Sequence, residues 1–342
     1  IAAYRSRGLN SKEKSLPNIL SLITKDQFEM ITTDPECPVI IQGSAGSGKT
    51  TVALHRLAWL LHENNSQIKA EKTRVIVMNR SLAIYVSATL PSMGIEDVQT
   101  STFNSWALSI VRKSVRGKPF FKFLNIPSFV EEIKFSEEIL NALSGWVKKQ
   151  SLVLDAEIKQ QFSSRTAHQE AWLKSKDKSL LPRLRDFSHE VKSSKLPEAE
   201  KQQKLGFIKK QISNLEDYLK DLYNLLSDTD HLKKYLPPDA KLTFNLDYLR
   251  RLTEKNRLGK NLDYFDMSLI LRLIQLKNGG LPDGKGGTVS LDHIVIDEAQ
   301  DFGPVEFAIM MDAVNDRRQV TIVGDVAQKI LIARKFIGWN KV

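Results

Sequence analysis

Cysteine is almost missing from this chain: Cys37 is the only one in 342 residues. A lone cysteine excludes an internal disulfide, so a buried core has to hold the fold together. No stretch approaches the apolar length of a membrane span or of a signal peptide, which points to a reducing, cytoplasmic setting without a membrane partner. The chain also lacks an initiating methionine. It begins at Ile1, stops at Val342 with no terminating pattern, and reads as part of a longer polypeptide. With 42% hydrophobic residues it can bury at least one full core, and its length suits two or three domains.

Acidic charge is scarce in one segment only. Residues 110 to 262 hold 30 Lys and Arg against 20 Asp and Glu, whereas the rest of the chain holds 20 against 20. A basic excess confined to one segment suggests a surface facing nucleic acid or another polyanion. The plainer alternative is a lysine-rich solvated helical face.

Strand signals are confined to the two ends of the chain. Short β-branched runs occur at Val39-Ile40-Ile41, Arg74 to Met78, Val98 to Phe103, Ile294-Val295-Ile296 and Val320 to Val323. Such runs fit strands covered on both faces. Helical patterns follow at Thr50 to Leu61 and Val305 to Val314, and alternating strand and helix predicts a parallel sheet with crossover helices. Between Phe103 and Ile294 amphipathic helices take over, with Tyr264 to Leu276 returning to the core. The expected division is 1–110 and 263–342 for the two parts of an α/β core, with a helical insertion at 111–262. The stretch from Asn278 to Gly287 is rich in turn formers and reads as a mobile loop. Within the insertion, Leu205, Ile208, Ile212, Leu215, Leu219, Leu222 and Leu226 alternate three and four apart. That heptad seam predicts one long helix packed lengthwise on a partner, as in an antiparallel arm, or else an ordinary helix of a compact domain.

Gly43-Ser44-Ala45-Gly46-Ser47-Gly48-Lys49-Thr50 has the form of a phosphate-binding loop, set between a predicted strand and a predicted helix. Glycines let the backbone curl so that its N–H groups and the helix start face phosphates. Lys49 then supplies a charge for the β and γ phosphates, and the Thr50 hydroxyl is placed for Mg2+. The run His293 to Asp301 is an apolar strand that ends in Asp297 and Glu298, at the edge where open α/β sheets bind ligands. Asp297 is expected to hold Mg2+ and Glu298 to deprotonate the attacking water. Alone, such an acidic strand end would read as a solvated loop. Gly324 to Gln328 ends a further strand and brings the Gln328 amide toward the same edge, where it can sense a γ phosphate. Thr24 to Gln27 has the form of a capping box, and the Gln27 amide suits an adenine edge as well as the cap. Nucleotide contacts are thus expected from Gln27, from Gly43 through Thr50 including Ala45, and from Thr51, with ATP and Mg2+ as ligands.

Taken together, these residues resemble the UvrD/Rep-like superfamily 1 helicases, most closely the HelD branch associated with bacterial RNA polymerase. The resemblance covers roughly residues 20 to 110 and 264 to 330. It implies a RecA-like lobe, with Asn79-Arg80 and Thr102-Phe103-Asn104-Ser105-Trp106 where the family places its single-strand-contacting motifs. Asn104 stands where the family commonly has a histidine. Tyr264-Phe265-Asp266 matches the acidic-aromatic motif before the second Walker element, and Gln42 to Arg56 looks particularly like HelD. Nothing after Gln328 matches the motifs of the family's second RecA-like lobe, which supply arginines to the γ phosphate, and no coiled coil is evident before Leu20. The resemblance implies an ATP-driven translocase or helicase on DNA. The alternative is a HelD-type factor whose insertion enters RNA polymerase. A small-molecule kinase or GTPase would make Gln27, the Asp-Glu-Ala-Gln tetrad and Gln328 coincidental.

Overall fold

The computed structural model describes residues 23–325 except Ala45, Lys118, Phe120, Phe123 and Ala240. Gln328 and the stretch before Ile23 lie outside the described residues. All five β-branched runs form strands: β1 (Val39–Gln42), β2 (Thr73–Val77), β3 (Gln99–Thr102), β6 (His293–Ile296) and β7 (Val320–Gly324). They make one parallel sheet in the order β1-β7-β6-β2-β3. β6 and β7 are buried throughout and β2 nearly so, as two covered faces require. The edge strands are less covered: Ile40 of β1 is exposed, so burial on both faces holds for the centre of the sheet only.

The period of two along each strand separates two cores. Val75, Val77, Val295 and Val323 pack with α2 (Lys49–Leu60) and α3 (Arg80–Thr89). Ile76, Ile294, Ile296 and Ile322 face the opposite way, toward α4 (Phe103–Ser114), α13 (Tyr264–Asn278) and α14 (Pro304–Met311). α13 is apolar on most of its circumference, and nearly all of it is buried. It lies between the sheet and the insertion, so insertion and core share one continuous apolar cluster. The α/β, RecA-like architecture with helical insertions is therefore the observed one.

The insertion comprises α5 (Ser128–Phe135), α6 (Glu137–Gln161), α7 (Thr166–Lys174), α8 (Leu180–Ser193), α9 (Glu198–Leu215), α10 (Tyr218–Ser227), α11 (Thr229–Lys233) and α12 (Leu242–Gly259). Two strands of two residues each, β4 (Phe121–Lys122) and β5 (Leu262–Asp263), pair in parallel and tie its entry to its exit. Residues this few carry no periodicity, so both strands escaped the sequence reading. The heptad seam does not make one helix. It breaks at Glu216-Asp217, where the Asp217 carboxylate accepts the Lys220 N–H and starts α10. α9 then packs on α8, and α10 on α12 and α13, as parts of a compact bundle. The glycine-rich stretch after α13 closes on itself: Asp283 accepts the Lys285 and Gly287 N–H groups and donates its own N–H to the Gly287 carbonyl. No described helix is long and apolar enough to cross a membrane.

Candidate nucleotide-binding site

In a parallel sheet all strand C-termini share one edge. β1 delivers Gly43 to that edge, and the loop reaches α2 through Gly46 and Gly48, whose φ values of 77° and 80° lie in the left-handed region. A side chain at either position would be strained. Gly48 is also the N-cap of α2, so no cap side chain competes for the first N–H groups of that helix. Lys49 folds back across the loop, and its Nζ donates to the Ser44 carbonyl at 2.9 Å.

Thr50 and Asp297 are 247 residues apart in the chain, and the Thr50 hydroxyl donates to Asp297 Oδ2 at 2.9 Å. Asp297 continues β6 by one bond, its N–H donating to the Ile76 carbonyl. Burial pushes its carboxyl up to about 6, against the opposing pull of the Thr50 hydroxyl and the Glu298 N–H. Glu298 has a φ of 52°, an uncommon conformation for a residue with a side chain. Three bonds hold it there: its N–H donates to Asp297 Oδ1, its carbonyl accepts the Asp301 N–H, and its Oε2 accepts Gln300 Nε2 at 2.7 Å. The other end of the Gln300 amide, Oε1, accepts the Asp325 N–H at 2.9 Å, just beyond β7. Gln300 thus joins the acidic strand end to the neighbouring strand end, a role the sequence pattern did not signal.

The donor set can be tested against Mg2+. The ion prefers six hard oxygens, keeps several waters and takes only one or two protein oxygens beside phosphates. Thr50 and Asp297 supply that pair at the mouth of the loop. No cluster of three or more His, Cys, Asp or Glu suited to a metal occurs among the described residues. The site therefore fits a phosphate-bound Mg2+ rather than an ion caged by protein alone.

Gln27 lies in α1 (Lys25–Thr32), and the expected capping box is present, with Gln27 Oε1 accepting the Thr24 N–H. The cap occupies the amide oxygen and leaves Nε2 as the end able to meet a base. α1 packs on α2, and the joint is Arg56, a fully buried side chain. Its guanidinium donates to the carbonyls of Met30, Ile31, Thr33, Asp34 and Cys37. Burial lowers its pKa to about 10, which leaves it charged. One arginine therefore sets where Gln27 sits relative to the glycine loop, a role that the stretch from Gln42 to Arg56 did not signal.

A family model for the UvrD/REP helicase N-terminal domain matches residues 23–334. The chain belongs to that family. It is thus a superfamily 1 helicase motor lobe. No curated protein matches it.

The expected nucleic-acid residues of this UvrD/REP lobe sit on the same sheet edge as the phosphate loop. Asn79 caps α3, its Oδ1 accepting the Leu82 N–H, and stays exposed beside Arg80. Thr102 caps α4 by accepting the Ser105 N–H, and Asn104 in the first turn is exposed. Phe103 differs from the expectation. It is 2% exposed and packs against Trp106 and Phe302, so its ring has no face for a nucleotide. The burial comes from Phe302, a distant residue that no local pattern reveals.

Proposed function

We propose that this lobe binds ATP with Mg2+ and, together with a second RecA-like lobe, hydrolyses it to drive a DNA helicase or translocase. The observation that carries the reading is the 2.9 Å contact between Thr50 and Asp297, which joins the phosphate loop to the acidic strand end. In this reading Gly43 to Thr51 wrap the phosphates with backbone N–H groups, and Lys49 leaves the Ser44 carbonyl to neutralise the β and γ oxygens. When bound, Mg2+ withdraws charge from those oxygens. Thr50 and Asp297 hold the ion, and Glu298, fixed by Gln300, takes the proton of the attacking water. Gln27 faces adenine through its amide nitrogen, and Gln328 reads the γ phosphate. Asn79, Thr102 and Asn104 touch the strand.

Turnover by this chain alone is expected to be slow, because an arginine from a second lobe is worth about 10³ to 10⁵ in rate. The HelD-type alternative, a factor that remodels RNA polymerase, drew on the leucine seam as an arm. With the seam divided between α9 and α10 in a compact bundle, that alternative keeps the resemblance of Gln42 to Arg56 and the basic excess of the insertion, which suits either reading.

Titration with a fluorescent ATP analogue and single-turnover hydrolysis in the full-length protein test the proposal. Lys49→Ala should abolish binding. Glu298→Gln should preserve binding and slow hydrolysis by about 10² to 10⁴. Normal turnover by the Glu298 variant would remove that residue from the base role.

A further inference from the structure

α12 buries Leu246, Leu249, Thr253 and Asn256 against the bundle. At 3.6 residues per turn, Phe244, Tyr248, Arg251, Lys255 and Leu258 fall within an arc of about 80° on the side facing away from those residues. The outermost face of a surface helix is ordinarily its most polar one. Here it carries Phe244 at 67% and Leu258 at 88% exposure, with Tyr248 between them resting edge-on against Phe129 of α5. Isolated exposed apolar residues need no explanation, but three on one stripe do.

The cations of α12 divide in two. Arg250 pairs with Asp247 and Arg257 with Glu254, both off the stripe. Arg251 and Lys255, on the stripe, make no ion pair among the described residues. Flat rings next to unpaired cations on one open face match a ligand with exposed bases and a phosphate at each step, since rings stack on any base and cations follow the backbone. A duplex keeps its bases stacked inside and offers the rings nothing. A protein partner would have to supply acids in register for both cations, and the stripe itself holds none.

We infer that the outer face of α12 is a binding strip for single-stranded nucleic acid, with Phe244 and Tyr248 stacking bases and Arg251 and Lys255 holding phosphates. The strip rests on the nucleic-acid motor reading above and extends it to a surface outside the sheet edge.

Binding of a labelled oligothymidylate to the full chain across a salt series tests it, with retention of the fluorescent ATP analogue as the check on folding. Phe244→Ala should weaken binding about tenfold with the salt slope unchanged. The double variant Arg251→Ala/Lys255→Ala should lower the slope of log K against log salt by about 1.4, two phosphates at about 0.7 each. Arg250→Ala, which removes one ion-paired charge beside the stripe, should change neither. Variants that all match the wild type would overturn the strip and leave the motor reading intact. Equal losses from Arg250→Ala would reduce it to diffuse charge and overturn it too. Loss of self-association or of a co-eluting protein in the Phe244 variant, with oligonucleotide binding unchanged, would reassign the face to protein. A wild-type chain that binds ATP but no oligonucleotide at any salt would remove both the strip and the DNA part of the proposed function.

Discussion

In the sheet, polar side chains gather where β1, β6 and β7 end, and there Thr50, Asp297, Glu298 and Gln300 bond to one another and to backbone. In the insertion, charge is spread over eight helices, and part of it lies inside. Lys134 is buried between Asp263 and Asp266, with both contacts at 2.6 Å. Arg183 is buried over the Trp172 ring while bonding Asp155 and the Trp172 carbonyl. Lys204 donates to the Gln161 carbonyl at 2.8 Å and lies over Phe162. The sheet uses charge to make a site, whereas the insertion uses Lys134, Arg183 and Lys204 to make a structure. A count of lysines and arginines in sequence therefore overstates the surface charge available to a polyanion.

The largest effect on this contrast should come from Lys134. Burial alone would lower its pKa, but the two carboxylates outweigh burial and keep the ammonium charged, while burial raises Asp266 to about 6 against the pull of Lys134. Lys134→Met strands those acids at the start of α13 and should cost about 3 to 5 kcal/mol of stability in denaturant unfolding, the usual loss when a buried pair is broken. Adding Asp263→Asn and Asp266→Asn should recover part of it. If Lys134→Met costs no more than a surface substitution, the triplet is not what fastens the insertion to the core.

Next comes the seam between the two regions. Gly303, the N-cap of α14, lies so close to Phe135 of α5 that an added Cβ would meet its ring at 2.7 Å. Phe135 in turn rests edge-on against Phe265. Gly303→Ala should therefore cost about 1 to 3 kcal/mol by overpacking. A fall in single-turnover rate beyond that shown by an equally destabilised variant far from the sheet would show that the strand end carrying Glu298 shifts with it.

The smallest effect is expected at Arg251. Exposed and without an ion pair among the described residues, it should change stability by no more than about 0.5 kcal/mol when replaced by alanine. A larger loss would mean that the outer face of α12 belongs to the structural charges of the insertion.

These contrasts also explain what could be read from the chain. Five strands, the left-handed glycine loop after β1 and the acidic end of β6 were legible because each is local: a β-branched run, a glycine spacing, a strand followed by acids. Lys134 was not, because a lysine in an amphipathic helix reads as solvent-facing until two carboxylates some 130 residues away close on it. Arg56 was equally silent, since its partners are backbone carbonyls without sequence identity. The leucine seam misled because apolar period continues across Glu216-Asp217 while the backbone does not, and one capping carboxylate decides the break. Phe103 sits in a motif whose family resemblance implies a nucleic-acid contact, yet Phe302 covers it.

Gln300 has a directionality that a symmetric side chain would lack. An amide has one donating and one accepting end, and here the donor meets a carboxylate while the acceptor meets a backbone N–H. Glutamate in its place would set two carboxylates face to face, and leucine would sever both links. The amide behaves as a short rigid rod pinned at both ends. Any sliding of the β7 terminus must stretch the 2.9 Å pin at Asp325 or swing the Glu298 carboxylate with it.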